Sequence, residues 1–308
     1  MRVPVYGHTG TVGSVLYRWL RERTPVELAG VSLDQRDGEH REIADWVFIC
    51  VPTPTTDGGQ DLSALKDALV WLHRRPMGIV IRSTVLPGTC ERIAREHPEW
   101  RVWHWPEFLS ARTAWEDFCH PWAHVVGGDA AEWADTWAPL LPRAGQTVYV
   151  DRTTAELIKY AHNVHGALQV TYANLLYDMA QRASGDFEAV KAAMPSLGYI
   201  GQGIVKGYWD VWRDRKRGYD GACFPKDVDA IRHWLMGQAE LLDGMAAANA
   251  RLRAGGMKQN WCPKHGEVPQ DWVHYICTGS TADPVPHCPI CRMPLENVTA
   301  EQLPVPRQ

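Results

Sequence analysis

No stretch of the chain stays apolar for long enough to cross a bilayer. No charged leader with an apolar core stands at its start either: Met1-Arg2-Val3 runs straight into a strand-like segment and a glycine turn. The expectation is a cytoplasmic protein with no membrane partner. A surplus of positive charge is also missing. The net charge of −4 argues against nucleic acid as a partner and leaves only the C-terminal module open to it. The sequence shows no internal repeat and no low-complexity tract. What is present is ordinary for a globular chain: 308 residues, 45% hydrophobic and 22% charged, enough for two or three domains. Eight cysteines in such a compartment should be reduced or metal-bound. Cys262, Cys277, Cys288 and Cys291 crowd the C-terminal end, whereas Cys50, Cys90, Cys119 and Cys223 are scattered. Fifteen tryptophans is a high count for which the sequence offers no functional reason.

Val3–Tyr6 reads as a strand, followed by Gly7, Gly10, Thr11, Val12 and Gly13 and a helix-like Ser14–Arg21. Strand, glycine turn and helix make a dinucleotide-binding arrangement with the pyrophosphate at the helix N-terminus. The G-x-x-G-x-x-G spacing is one residue longer than the commonest form, and Pro4 is unusual in a central strand. A second strand, Val26–Val31, ends near Asp34, where an acidic residue would meet ribose hydroxyls; Ser32 is the alternative. Asp45–Val51, Gly78–Ile81, Trp103–Trp105, His124–Val126 and Thr147–Val150 continue the strands, with Leu62–Leu72 helical between them. This alternation predicts an α/β fold, a doubly wound Rossmann-type parallel sheet over residues 1–150. Ligands gather at strand C-terminal ends in such sheets. Pro52, Thr53, Ser83, Thr84 and Glu107 all fall there.

Thr153 and Glu156 form a capping-box pattern that opens a long helix to about Arg182. Leu157, Tyr160, Ala161, Val164, Leu168, Leu175 and Met179 supply its apolar stripe, while Lys159 and Asn163 share another face. Such a pair is most often a solvated edge. A second helix is expected from Asp227 to about Arg253, completing a helical domain over 151–254, with a boundary at Gly255-Gly256 and a small module over 255–308. Between the two helices lies Gly221-Ala222-Cys223-Phe224-Pro225-Lys226-Asp227. A thiol with an ammonium three residues on is a candidate nucleophile, since a lysine favours the thiolate. Taken alone, the segment fits a buried loop cysteine equally well.

Together these segments resemble the UDP-glucose/GDP-mannose dehydrogenase family over about Val3–Leu242. The resemblance is carried by the glycine turn, Val51-Pro52-Thr53-Pro54-Thr55, Asp57-Gly58-Gly59 with Asp61-Leu62-Ser63, and Ser83-Thr84-Val85 with Pro87-Gly88-Thr89. It continues in Pro106-Glu107-Phe108-Leu109, Thr113-Ala114, Glu116-Asp117-Phe118, Ala155-Glu156-Leu157 with Lys159 and Asn163, and the Cys223–Asp227 segment. It implies NAD-dependent oxidation of a primary alcohol, the 6-hydroxyl of a nucleotide sugar, to a carboxylate through a thiohemiacetal and thioester on Cys223. Lys159 and Asn163 would steady the alkoxide or oxyanion, Asp227 would accept a proton, Thr84 would orient water, and Glu107 would lie near the reacting carbon. NAD would meet the glycine turn, Asp34, Pro52, Thr53, Ser83, Thr84 and Lys226. A homodimer with the long helix as its surface is expected. Two other readings stand beside this one: a two-electron dehydrogenase of the 3-hydroxyacid type, and a non-catalytic Rossmann scaffold.

Three departures from the family stand out. The segment between the second and third strands is short. Ala111 stands where the family has a glutamate that helps thioester hydrolysis, and Ala123 stands where it has an arginine. In place of the family's C-terminal nucleotide-sugar-binding domain comes a different module. There Cys262-Pro263-Lys264-His265 and Cys288-Pro289-Ile290-Cys291 pair C-x-x-H with C-x-x-C. Thiolates and an imidazole at that spacing suit one tetrahedral zinc. Cys262, His265, Cys288 and Cys291 are the expected ligands of a structural, zinc-ribbon-like unit, with Cys277, His274 and His287 as possible replacements.

Overall fold

A computed structural model describes residues 1–31, 44–56, 59–70, 72, 78–197, 208, 216–236 and 239–255, with the backbone of five short strands beyond. The chain divides into two compact units, Met1–His165 with Ala222–Ala239, and Gly166–Gly221 with Glu240–Gln308.

The first unit is built on β1 (Arg2–Tyr6), β2 (Glu27–Val31) and β3 (Trp46–Ile49), and a hairpin of β4 (Thr55–Thr56) and β5 (Gly59–Gln60). Then come β6 (Gly78–Ile81), β7 (Arg101–His104), β8 (Ala123–Gly127) and β9 (Gln146–Val150). Seven of these form one sheet in the order β2-β1-β3-β6-β7-β8-β9. Neighbours are parallel except β7 and β8, which meet antiparallel at His104 and Gly127. β3 and β6 are buried at every residue because a strand in the middle of a parallel sheet is covered on both faces. That is why they read as unbroken apolar runs. The helices are α1 (Thr11–Arg23), α2 (Ser63–Val70), α3 (Thr89–Glu96), α4 (Ala114–Cys119) and α5 (Ala130–Thr136). Pro4 lies inside β1, paired in register with Ala29.

On one side of the sheet, Trp46, Phe48, Trp103, Trp105, Trp133 and Trp137 pack as one aromatic cluster with Val5, Leu16 and Leu20. Phe48 and Trp137 meet near-perpendicular with centroids 4.6 Å apart, and Trp46 and Trp103 lie 4.8 Å apart. Edge-on and offset aromatic pairs add about 0.5–1.5 kcal/mol each beyond their buried area. Five of the tryptophans are therefore core material. On the other side Val47, Ile49, Ile79, Ile81, Leu65, Ile93 and Val102 form a smaller aliphatic core.

The long helix, α6 (Arg152–Ala183), starts differently from the expected capping box. Asp151 is its cap, accepting hydrogen bonds from the Thr154 backbone N–H (2.9 Å) and hydroxyl (2.5 Å). Glu156 does not reach back. Its carboxylate accepts from the N–H of Gly88 (2.6 Å) and of Cys90 (2.7 Å), at the start of α3. Gly88, the N-cap of α3, is left-handed at φ 90° and has no side chain to do this. A buried carboxylate from a distant helix therefore caps α3. Glu156→Ala would leave two N–H groups without their acceptor, and we expect a loss of about 1–3 kcal/mol. This would be read as a lower urea midpoint at unchanged slope; an unchanged midpoint would show the cap to be dispensable.

The apolar stripe of α6 is also corrected. Leu175 and Met179 are 54% and 56% exposed, and Leu157, Leu168 and Tyr172 are exposed with them. The buried face is the polar one, carrying Glu156, Lys159 and Asn163 beside Ala155 and Tyr160. Expecting apolar residues inside fails here because the polar residues of α6 find charged and amide partners, which offset their desolvation.

The single helix expected from Asp227 is two: α8 (Phe224–Trp234) and α9 (Glu240–Ala254). Pro225 falls in the first turn of α8, where its missing N–H costs nothing, and Cys223 is the N-cap. Met236, at φ 51°, takes the left-handed conformation just past α8's end.

In the second unit, α7 (Phe187–Ala193) is capped by Asp186, and Ala173, Ala180 and Phe187 form a small core. Asn249 of α9 bonds both the N–H (2.8 Å) and the carbonyl (3.0 Å) of Tyr219. Further on, β10 (Gln259–Cys262) lies between β11 (Gly266–Glu267) and β14 (Glu296–Val298). β12 (His274–Ile276) pairs with β13 (Val285–His287). His265, Cys288, Cys291 and the Cys262 side chain lie outside the described residues, as does Asp34. Among the described residues no cluster of His, Cys, Asp or Glu could hold a metal, and no helix is long and apolar enough to cross a membrane.

Candidate active site

The glycine turn leaves β1 at Gly7, whose φ of +78° is left-handed; a Cβ there would also sit 2.4 Å from the Cys50 carbonyl oxygen. A Cβ on Gly13 would stand 2.2 Å from the Gly7 oxygen, so only glycine lets α1 pack this close to the turn. Gly10 is the N-cap of α1, with no side chain bonded to the helix start and no acidic residue in its first turn, which holds Thr11 and Val12. The first N–H groups of α1 thus lack a protein cap, an arrangement that fits the pyrophosphate of a dinucleotide.

The loops after β3 and β6 are laced together at the same edge of the sheet. The Thr53 hydroxyl donates to the Thr84 carbonyl (2.6 Å), and the Ser83 hydroxyl donates to the Val51 carbonyl (2.7 Å). Gln60 donates to both the Thr84 carbonyl and the Tyr160 hydroxyl, each at 3.0 Å. Pro52 lies in the loop after β3 and is exposed.

The polar face of α6 meets the loop after β7 and the start of α8 in one hydrogen-bonded chain. Lys159 Nζ lies 2.8 Å from Glu107 Oε1 and 3.3 Å from Asn163 Oδ1. Asn163 Nδ2 donates to Asp227 Oδ2 at 2.5 Å, and the other oxygen of Asp227 takes the Lys226 ammonium at 2.5 Å. Lys159, Asn163 and Asp227 are 2%, 3% and 1% exposed, so this is an interior network rather than a solvated edge. The second oxygen of Glu107 accepts from the Leu109 N–H at 2.7 Å. Burial pushes the Glu107 carboxyl up, but the Lys159 charge and hydrogen bond, the Leu109 N–H and the Arg82 charge more than reverse that and hold it below its ordinary range.

Cys223 sits beside this network at the start of α8, exposed and free. Its thiol is raised, not lowered. Burial is the largest cause and the charges of Glu107 and Asp227 add to it, against Lys159 and Lys226. Lys226 does favour the thiolate, as expected, but its charge, paired to Asp227, is outweighed by burial and by Glu107.

An alcohol and then an aldehyde beside Cys223 would meet an ammonium, an amide and an ionised carboxylate in one dry cluster. The chain carries two domains of the UDP-glucose/GDP-mannose dehydrogenase family. The family's NAD binding domain matches residues 28–143 and its central domain residues 153–251. The UDP-glucose 6-dehydrogenase of Rickettsia felis is 32% identical over 202 residues, 62% of this chain and 43% of that one. That of Rhizobium meliloti is 33% identical over 205 residues, 61% and 45% of the two chains. A UDP-glucose dehydrogenase structure from Pyrobaculum islandicum superposes with a TM-score of 0.65 at 25% identity, over 81% of this chain and 68% of the other. The UDP-D-ManNAc dehydrogenase of Pyrococcus horikoshii shares the fold, with a TM-score of 0.66 over 82% of this chain and 69% of that one, at 18% identity. The chain spans about half the length of the curated relatives it matches. Over the shared span it is UDP-glucose 6-dehydrogenase-like.

Of the residues expected from the family resemblance, Glu107, Lys159, Asn163, Asp227 and Lys226 come together by direct contacts. Thr84 is not bonded to that cluster; its carbonyl accepts from Gln60, which also reaches the Tyr160 hydroxyl on α6. Lys226 lies with Asp227, and its backbone carbonyl accepts from the Thr55 hydroxyl at 2.6 Å. Ala111, in the family glutamate's place, is exposed.

Three further residues belong to this region. Gln60 ties Thr84 to α6. Arg82 is buried with its guanidinium 3.7 Å from the centre of the Trp105 ring, and its Nε and Nη1 have no partner among the described residues. Burial brings its pKa down to about 10, and it helps hold Glu107 ionised. His162 lies beside Asn163 and Phe108. No spacing pattern marks any of the three: Gln60 and Arg82 matter through partners more than twenty residues away, and His162 through its neighbour Asn163 and the distant Phe108.

Proposed function

We propose that the chain catalyses NAD-dependent oxidation of a primary alcohol of the nucleotide-sugar class to a carboxylate. The observation that carries this is the buried Glu107–Lys159–Asn163–Asp227 network beside Cys223. The spacing of Lys159 and Asn163 on α6, the Cys223–Asp227 segment at the start of α8, and the names of the relatives support the substrate class. NAD, held at the glycine turn, supplies the hydride acceptor. Lys159 steadies the alcohol oxygen as it loses its proton, and later the oxyanion on the thiohemiacetal, with Asn163 holding the ammonium in place. Cys223 adds to the aldehyde carbon, giving up its proton to a neighbouring base such as Asp227 as the S–C bond forms. Oxidation of the thiohemiacetal gives a thioester, and water releases the carboxylate and restores the thiol. A covalent tether lets one site complete both oxidations without releasing the aldehyde.

Two NADH per UDP-glucose consumed, with the carboxylate as product, is the expected stoichiometry. One NADH per substrate would put the 3-hydroxyacid type of reaction in its place, and none would favour a scaffold. The exposed stripe Leu157, Leu168, Tyr172, Leu175 and Met179 on α6 supports a homodimer, which sedimentation at varied concentration would reveal or refute. The spacing of Cys262, His265, Cys288 and Cys291 supports one structural zinc. Elemental analysis should find about one equivalent, lost on changing both Cys288 and Cys291 to serine.

A further inference from the structure

We infer that His162 is the base that activates the water for thioester hydrolysis, standing in for the carboxylate that Ala111 lacks. This rests on the function proposed above. The argument begins with Asn163, whose amide orientation is fixed from two sides. Its nitrogen faces the Asp227 carboxylate, so its oxygen faces the Lys159 ammonium and the His162 ring, whose Nδ1 is 2.9 Å away. An amide oxygen only accepts, so Nδ1 carries the proton and donates. In the neutral ring the lone pair is then on Nε2. Nε2 makes no hydrogen bond among the described residues, and the side chain as a whole is exposed. The ring is steadied edge-on against Phe108, centroids 5.1 Å apart, which places it next to the residue following Glu107.

The alternatives are weaker bases. Glu107 has both oxygens engaged and is held ionised below its ordinary range by Lys159, while Glu116 is exposed on α4. Asp227, bonded through its two oxygens to Asn163 and Lys226, is the group to which the Cys223 proton is assigned in the earlier step. The charged and titratable groups around His162 are Lys159 and His165 on its own helix and Glu107 from the loop after β7. Burial is the largest effect on the ring and lowers its pKa, leaving the neutral, proton-accepting form dominant at pH 7. In the step itself, Nε2 takes a proton from water while the oxygen forms a bond to the thioester carbon. The C–S bond then breaks, the proton returns from the imidazolium to the Cys223 sulfur, and the acid product ionises to solvent. No electrons change hands.

The test is rapid mixing of the purified full chain with UDP-glucose and NAD. The unaltered protein should give a burst near two NADH per site, then steady turnover. In His162→Gln the burst should persist while the steady rate falls about 10²–10⁴-fold, and mass spectrometry should find acylated Cys223 accumulating. The steady rate of the unaltered protein should rise with pH through an imidazole titration below 6.5, and this limb should vanish in the variant. A burst with an unchanged steady rate in His162→Gln overturns the role of His162 while leaving the proposed function intact. No burst and no carboxylate from the unaltered protein overturns the function itself, and the hydrolytic role with it. Nitrogen chemical shifts of the unaltered protein give an independent check: a proton on Nε2 rather than Nδ1 in neutral His162 would also sink the inference.

Discussion

Replacing Cys223 with alanine is expected to remove carboxylate formation, with net turnover falling on the order of 10⁴-fold or more, as when a covalent nucleophile is lost elsewhere. In the proposed mechanism the first oxidation needs only the Lys159–Glu107–Asn163 cluster and the dinucleotide site, so the variant should still form one NADH per substrate. An aldehyde trap should then capture the product. Cys223→Ser should behave alike, because a serine alkoxide is far harder to generate than a thiolate. The thiol's raised pKa gives a second readout. Alkylation of Cys223 by iodoacetamide should climb with pH and reach half its maximum above the ordinary thiol value of 9.0. Lys159→Met, which removes one of the two lowering charges, should move that midpoint higher. Carboxylate produced by Cys223→Ala at the unaltered rate would exclude a thioester route altogether.

Lys159→Met carries the other large effect, and it acts on stability as well as rate. Lys159 and Glu107 are paired at 2.8 Å with side chains 3% and 9% exposed, so the variant leaves a carboxylate buried without its nearest cation. Breaking a buried pair from one side costs about 3–5 kcal/mol. Loss of the ammonium from the alkoxide and oxyanion should cost a further 10²–10³-fold in kcat, roughly as for an oxyanion donor. The double variant Lys159→Met/Glu107→Gln separates the two, since it removes the stranded charge and should regain stability but not activity. The pH dependence has a definite sign. Glu107 in the fold is held below its ordinary 4.5, so its contribution is fully present above that value and is lost as pH falls through the lower folded pKa. The unaltered protein should therefore lose more stability between pH 5 and the acid limit than Lys159→Met does. Equal acid profiles would mean that Lys159 does not hold Glu107 ionised.

The sequence by itself determined the doubly wound sheet, because its evidence is local. β3 and β6 are covered on both faces and so announce themselves as short apolar runs between turn residues. The glycine turn was equally legible, since Gly7 and Gly13 are required by contacts with chain within a few residues or at the neighbouring strand. The membership of the polar cluster was readable too, but only through the resemblance to a family, since spacing alone left Lys159 and Asn163 as a solvated edge.

What only the tertiary structure decided was how those residues are paired. Glu156 looked like the cap of its own helix and proves to cap α3, sixty-eight residues away, because Gly88 brings no side chain to its own N-terminus. Lys159 and Asn163 looked like a solvated edge and are buried, while Leu157, Leu168, Leu175 and Met179 of the expected apolar stripe are exposed. Periodicity records which residues share a face but not which face meets the core. Lys226 looked like an activator of Cys223, and its lowering effect is outweighed by burial and the Glu107 charge. The tryptophans resolved into a core only once strands more than 50 residues apart shared one face of the sheet, as β3 and β7 do on either side of β6, bringing Trp46 against Trp103. The common reason is range: hydrophobic period and turn chemistry act within a few residues, whereas charge pairing, capping from a distance and desolvation depend on neighbours that only the folded chain supplies.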